Sequence, residues 1–356
     1  MIELYGKKIG KPDLLARIGS LAQVAGIRMM ELQDGPERGV RVADVRTGSG
    51  LRFQVSLDRG MDIAAAEYKG MPLAWRSPTG DAHPAYFDRH GAGWTRTFPG
   101  GLMTGCGMTY AGAAGRDEGE ELGLHGRLSH LAAFDVASST HWEDGQCCFH
   151  LEGSVRESAT FRENLLLRRT IETGLGSSVI TIRDQVVNEG HSRSPLMMLY
   201  HVNAGWPLVD RGSRLLLHAR DSRPRDAVAA PGLSEARVFT APVCGYREQV
   251  FYHDLIPDAA GFGTALLQND TLAVGMFVRF RMRELPRYIE WKMMGEGEYV
   301  VGMEPANCLV GGRAAERAAG TLCHLEPQES TAFELQIGLL DDPESLARFS
   351  RENELQ

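Results

Sequence analysis

The chain lacks the usual handles for metal, nucleotide, nucleic-acid or membrane chemistry. Its six cysteines, Cys106, Cys147, Cys148, Cys244, Cys308 and Cys323, include no CxxC pair, so neither a disulfide framework nor a zinc knuckle is expected. His83, His90, His141, His150, His191 and His324 have no partner at metal-ligand spacing, and no metal is predicted. No glycine-rich turn of the dinucleotide or P-loop kind links a strand to a helix, so no cofactor is implied. Positive charge is in short supply: the net charge of −8 and pI near 5.8 argue against a nucleic-acid partner. Long apolar runs are missing too. Met1 to Lys8 has no signal-peptide core and no later stretch is apolar enough to span a bilayer, so a cytoplasmic protein without a membrane partner is expected.

What remains is an ordinary globular composition, 43% hydrophobic and 24% charged, over 356 residues, enough for one large domain spanning 1–356. Helical spacing of Leu14, Ile18 and Leu21 after Pro12-Asp13 predicts a helix over about 12–25, and Asp342-Pro343 starts another over about 343–353. Between them the period is two, as in Leu51 to Leu57, Val278 to Arg283 and Phe333 to Ile337. Further strands are expected around 147–151, 165–172, 179–187, 215–219, 288–293 and 299–303. Short strands with turns between them and no alternating helices predict an all-β fold, a large antiparallel β-sandwich with a few short helices.

Two segments carry the chemistry. In Tyr200-His201-Val202-Asn203 the histidine ends an apolar run, and in Gly302-Met303-Glu304-Pro305 the glutamate precedes a proline that biases it toward extended backbone. Such partly dried groups suit proton transfer. Interconverting sugar anomers needs a base for the anomeric hydroxyl and an acid for the ring oxygen; a Glu304 carboxylate and a protonated His201 imidazole fit, flanking the ring from opposite sides. A satisfied core histidine and a structural glutamate are the plainer alternative. Alternation puts Asn203 on the His201 face, and His125 and Arg127 on one side of their own loop. Trp94 and Arg96 lie in a long irregular segment, and Trp94, Trp206 and Trp291 each offer a face for a pyranose; Lys292 follows Trp291. The acidic run Asp117 to Glu121 reads as a solvated loop.

The order of Leu57-Asp58-Arg59-Gly60-Met61-Asp62, Trp94-Thr95-Arg96, Leu124-His125-Gly126-Arg127, Tyr200-His201-Val202-Asn203 and Glu304-Pro305-Ala306-Asn307 resembles the aldose 1-epimerase, or galactose mutarotase-like, superfamily, and most closely a bacterial branch of unknown function. The resemblance implies a β-sandwich whose concave face holds a small-molecule carbohydrate, with Glu304 as base and His201 as acid in a cofactor-independent isomerase. It also implies that His125 contacts the sugar and that Arg96, or else Arg59, is the substrate-binding arginine. Asp254 is the candidate for the family's hydroxyl-binding aspartate. This chain has Val202-Asn203-Ala204-Gly205 where mutarotases follow the histidine with Thr-Tyr-Phe-Asn, and Arg127 where they have a second glycine. A cationic Arg127 would suit an anionic sugar. A noncatalytic carbohydrate-binding or sensor protein, or a keto-sugar isomerase or lyase with the same acid-base pair, remain open beside mutarotation.

Overall fold

The computed structural model describes residues 1–356. Two antiparallel sheets pack face to face. One has eight strands in the order Phe134–Glu143, Gln146–Ser158, Asn164–Gly174, Val179–Asn188, Ser330–Leu340, Val274–Arg281, Phe262–Asn269 and Arg214–Leu217. The other has eleven: Ala219–Pro224, Gln249–Leu255, Arg287–Met294, Tyr299–Ala306, Met197–Gly205, Met103–Met108, Asp62–Tyr68, Leu51–Ser56, Arg41–Arg46 and Gly26–Glu31 in order, with Met71–Pro72 paired to Asp62–Tyr68. Alternation decides what each strand gives to each face. Tyr200 and Val202 of one strand and Val301 and Met303 of its neighbour enter the apolar cluster between the sheets, with Leu335 and Ile337 from the opposite layer. Leu199, Ile289 and Ala306 turn to the other face of the larger sheet, where they pack with Trp94 and Phe98 in a separate cluster.

A buried ion pair ties the layers together. Arg169 and Asp184 are cross-strand partners in the smaller sheet, fully buried, with Arg169 Nε and Nη2 donating to the two carboxylate oxygens at 2.9 and 2.6 Å. The remaining capacity of both groups reaches across the interface. Arg169 Nη1 donates to the Gly60 carbonyl at 2.8 Å, and Tyr200 Oη donates to Asp184 at 2.7 Å. Buried charges are tolerated on such terms, with each donor and acceptor occupied.

The helices differ in part from expectation. The N-terminal helix covers only Lys11–Leu15, followed by a 3₁₀ turn at Leu21–Gln23; Gly19 and Ser20 interrupt the pattern, and Ser20 caps the second turn by accepting from the Ala22 amide. The C-terminal helix occupies Pro343–Glu352, capped by Asp342 accepting from the Ser345 amide. A third helix, Arg313–Ala319, was not foreseen. Its buried face is charged, so it shows no apolar stripe: Arg313 pairs with Asp117 and Glu120, and Arg317 with Asp117. The acidic run is therefore not a free loop but a hairpin, Gly115–Asp117 with Glu120–Leu122, that holds this helix.

Asp184→Asn would leave Arg169 buried without its counter-charge, and is expected to destabilise the fold by about 3–5 kcal/mol. Urea unfolding would show a lower midpoint at unchanged slope; a loss below about 1 kcal/mol would contradict the role given to this pair.

Candidate functional site

The face of the larger sheet that does not pack on the smaller one carries a cavity of about 1110 Å³. Its floor is set by strand register. Val202 faces Met303, Asn203 faces Gly302 and Leu199 faces Ala306, which puts His201 directly opposite Glu304. The side chains meet: His201 Nε2 lies 3.2 Å from Glu304 Oε1, with the two residues only 5% and 2% exposed. Although the distance is that of an ion pair, the alignment does not make a hydrogen bond, and Glu304 Oε1 has no other partner. The expectation that the two groups flank a sugar from opposite sides is corrected here. As cross-strand neighbours they stand side by side, and no ring fits between them.

Asn203 fixes the histidine rather than a ligand. Its Nδ2 donates to the carbonyls of Gly101 and His201 at 3.0 and 2.9 Å, while Oδ1 sits 2.5 Å from His201 Nδ1. With the amide so oriented, Nδ1 must carry the proton, and Nε2, beside Glu304, bears the lone pair. Phe98 and Trp291 wall the imidazole in, with ring centres 5.4 and 5.2 Å away. Burial, helped by nearby His125 and opposed by the Asn203 hydrogen bond, lowers His201 to about 3. Burial likewise raises the Glu304 carboxyl well above its ordinary range, with Glu248 adding to the rise and Arg225 opposing it. Both shifts run in one direction, favouring the uncharged form of each group, a protonated Glu304 carboxyl and a neutral His201 imidazole.

Gly302 makes this arrangement possible. A Cβ there would collide with Glu304 Oε1 and come within 2.9 Å of Trp291 Cβ. Nothing in the sequence singled it out except its place two residues before the glutamate.

His125 lines the cavity as expected, 4.8 Å from Trp94 and 5.8 Å from His201 between ring centres. Burial lowers it to about 4, so it too is neutral, and its Nδ1 has no partner. Arg127 does not share its side. His125 at φ 57° and Gly126 at φ 73° both take the left-handed conformation, which breaks strand alternation and sends Arg127 into a neighbouring cavity with Thr109 and Glu157. Arg96 is exposed, because the 3₁₀ turn Gly93–Thr97 stacks positions three apart and buries Trp94 and Thr97 instead. Arg59 is fully buried behind that turn, donating to the carbonyls of Ala82 and Thr97, both at 2.6 Å. Lys292 lies on the inward side of its strand and donates to the carbonyls of Glu235 and Val238 at 2.7 and 2.8 Å. Asp254 pairs with Arg220 on the surface at 3.0 Å. None of these five charged side chains lines the cavity. Trp291 and Trp94 do; Trp206 is 62% exposed elsewhere.

The sequence reading missed Trp75, Phe98, Arg225 and Glu248, and the turn Glu296-Gly297-Glu298, all at the cavity wall. Arg225 Nη2 donates to Glu248 at 3.1 Å and Nε to Asp226 at 2.8 Å, while Trp291 Nε1 donates to the other Glu248 oxygen at 3.0 Å. These residues come from different strands and turns, so no local spacing marks them as a set.

The large antiparallel sandwich is a fold shared with galactose mutarotase-like proteins. Residues 37–339 match the family described as Domain of unknown function (DUF4432), and the chain belongs to it. Among solved structures, one named "putative aldose 1-epimerase" from Klebsiella pneumoniae is similar at 25% identity and a TM-score of 0.88, over 92% of this chain and 86% of that one. A galactose mutarotase-like protein from Clostridium acetobutylicum shares the fold at 12% identity and a TM-score of 0.65, over 90% and 99%. So does a galactose 1-epimerase from Lactobacillus acidophilus, at 11% and 0.56, over 89% and 99%. No curated protein sequence matches the chain.

The neutral Nδ1–H tautomer can be read directly: ¹⁵N spectra should show His201 Nε2 with an unprotonated, pyridine-type shift from pH 5 to 8. An imidazolium shift in that interval would refute the assignment.

Proposed function

We propose that the protein catalyses the exchange of anomers of a free sugar, as an aldose 1-epimerase-like isomerase, with Glu304 and His201 as the proton-transfer pair. The observation that carries this reading is the side-by-side placement of a carboxyl oxygen without a hydrogen-bond partner and an imidazole lone pair at the floor of an aromatic-walled cavity. The two oxygens that must gain and lose protons in mutarotation, the ring oxygen and the anomeric hydroxyl, are bonded to the same carbon. Two adjacent groups, one bearing a proton and one a lone pair, are complementary to that geminal pair.

In this scheme the Glu304 carboxyl gives its proton to the ring oxygen as the bond from that oxygen to the anomeric carbon breaks. His201 Nε2 takes the proton of the anomeric hydroxyl, whose electrons close the carbonyl. The products are an open-chain aldehyde and a Glu304 carboxylate beside a His201 imidazolium, each stabilising the other. Rotation about the bond next to the carbonyl and reversal of both transfers yield the other anomer. Asn203 accepts from Nδ1 throughout and so supports the imidazolium as it forms. Trp75, Trp94 and Trp291 give the sugar's C–H faces an apolar surface, and neutral His125 is placed to meet a hydroxyl.

Glu304→Gln and His201→Asn are each expected to lower anomer exchange by at least about a hundredfold, measured by saturation-transfer NMR on a sugar panel, with melting temperature little changed. Exchange by the wild type no faster than in buffer for every sugar would end the proposal. If a bound sugar changes constitution rather than anomer, the pair serves isomerisation or elimination instead.

The pH profile follows from one proton held by a coupled pair. Activity falls on the acid side as a second proton reaches His201, which its lowered value near 3 puts well below neutrality. It falls on the basic side as Glu304 loses its proton, above the ordinary carboxylate range. A plateau from mildly acid to neutral pH is expected; a rate rising with pH through about 6.5, the unperturbed histidine range, would contradict the scheme.

Gly302→Ala is expected to cost about a hundredfold in rate by displacing Glu304 Oε1, since a misplacement of about 1 Å at a reacting group has that effect. Unimpaired exchange in this variant would show that the carboxyl is not positioned as described.

A further inference from the structure

Two oppositely charged side chains on the cavity wall, Arg225 and Glu248, flank the strand pair at one edge of the larger sheet. Arg225 directly follows Ala219–Pro224, Glu248 directly precedes Gln249–Leu255, and the Arg225 amide still donates to the Val250 carbonyl at 2.9 Å. The pair is held from both ends. Asp226 accepts from Arg225 Nε at 2.8 Å and is itself fixed by the amides of Val228 and Ala229 at 2.9 and 3.1 Å. At the far end each Glu248 oxygen has one donor, Arg225 Nη2 at 3.1 Å and Trp291 Nε1 at 3.0 Å.

This pairing leaves capacity unused on both partners. A guanidinium that meets a carboxylate fork to fork engages it through two nitrogens. Here Glu248 takes up Nη2 alone, Asp226 takes up Nε, and Nη1 has no hydrogen-bond partner in the protein. Each Glu248 oxygen keeps a lone pair beyond its single donor. The two side chains are 30% and 52% exposed where they line the cavity, so a fixed donor and a fixed acceptor stand open side by side.

The pair is also near the reacting groups. Trp291 donates to Glu248 while its ring centre lies 5.2 Å from that of His201, so one indole separates the carboxylate from the imidazole. Glu248 and Arg225 are the two charges that act on the Glu304 carboxyl, in opposite senses. A pyranose resting on Trp291 with its anomeric carbon at the floor has its other ring hydroxyls within reach of the pair.

We infer that Arg225 and Glu248 determine specificity by reading two hydroxyls on adjacent carbons of the sugar ring, one donating to Glu248 and the other accepting from Arg225 Nη1. This rests on the anomer-exchange reading, which commits the C1 hydroxyl and the ring oxygen to His201 and Glu304. With those engaged, the adjacent ring hydroxyl pairs left on an aldopyranose are C2 with C3 and C3 with C4. Both contain the C3 hydroxyl. The substrate is thus a neutral aldopyranose that keeps its C3 hydroxyl and one neighbour of it, while the C6 position goes unread.

The test is a deoxy scan of glucose and galactose against their 2-, 3-, 4- and 6-deoxy forms. Binding is followed by tryptophan fluorescence, since three indoles line the cavity, and exchange by saturation-transfer NMR. With the wild type, loss of the C3 hydroxyl should weaken binding by about tenfold to a hundredfold, because it strips a charged group of its partner. Only one of the C2 and C4 deletions should do the same, and the 6-deoxy forms should stay within about threefold of the parents. Glu248→Gln and Arg225→Gln should each weaken the parent sugars and reduce the 3-deoxy penalty below about threefold, as expected for directly coupled partners. Were the pair only to hold Trp291 in place, both variants would weaken every sugar alike and leave that penalty unchanged, which would overturn the inference. A 3-deoxy sugar bound by the wild type as tightly as its parent would overturn it as well. Either result alongside accelerated exchange leaves the anomer-exchange reading standing. The predicted deoxy pattern in binding, without accelerated exchange of any sugar, would overturn that reading and keep the diol site. Failure of every sugar to bind would overturn both.

Discussion

The register between Met197–Gly205 and Tyr299–Ala306 is the constraint from which the site follows. With Val202 opposite Met303, His201 and Glu304 are neighbours on one face, while Tyr200, Val202 and Met303 fill the space between the sheets. A slip of one residue would turn Glu304 into the apolar core and Met303 into the cavity. The core therefore enforces the pairing: the same residues that make the slip unfavourable on one face keep His201 and Glu304 aligned on the other. The ion pair beneath strengthens this, since Tyr200, next to His201 in the chain, is held through its hydroxyl by Asp184.

Burial then sets the protonation. Arg225 favours an ionised Glu304, but burial and Glu248 outweigh it, and aromatic rings surround the imidazole. Under those conditions a neutral acid beside a neutral base is favoured over two separated charges. Asn203 adds direction to this, because its amide hydrogens are taken up by backbone carbonyls and only its oxygen is left for Nδ1. An amide is more suitable than a carboxylate at that position: a negative partner on Nδ1 would draw the histidine toward permanent protonation.

Much of the architecture was legible as period-two patterning, since residues such as Phe53, Val55, Leu335 and Ile337 must face a common core. His201, Glu304 and His125 were legible because each sits among apolar or turn-forming neighbours. The charged residues were not. Arg127 was placed by assuming alternation through a segment that turns left-handed at two successive residues, and Arg96 by reading a 3₁₀ turn as an extended loop. Lys292 and Asp254 lie on genuine strands, but a strand pattern does not say which side faces a cavity when both sides of the sheet are covered. Arg225, Glu248 and Trp75 meet only through folding, and no segment announces them. The Arg313–Ala319 helix escaped for a related reason: its partner is an acidic hairpin rather than an apolar surface.

The two glycines near the C-terminal end of the site bear different loads. At Gly302 any side chain strikes Glu304 and the Trp291 stem, whereas a Cβ at Gly297 meets nothing, although its φ of 78° still favours glycine. Evolution acting on this cavity therefore has little freedom at its base and considerable freedom around its entrance. Glu296 and Glu298 can be exchanged without disturbing the strands that carry His201 and Glu304, so the rim can drift in charge and shape over a base that stays fixed.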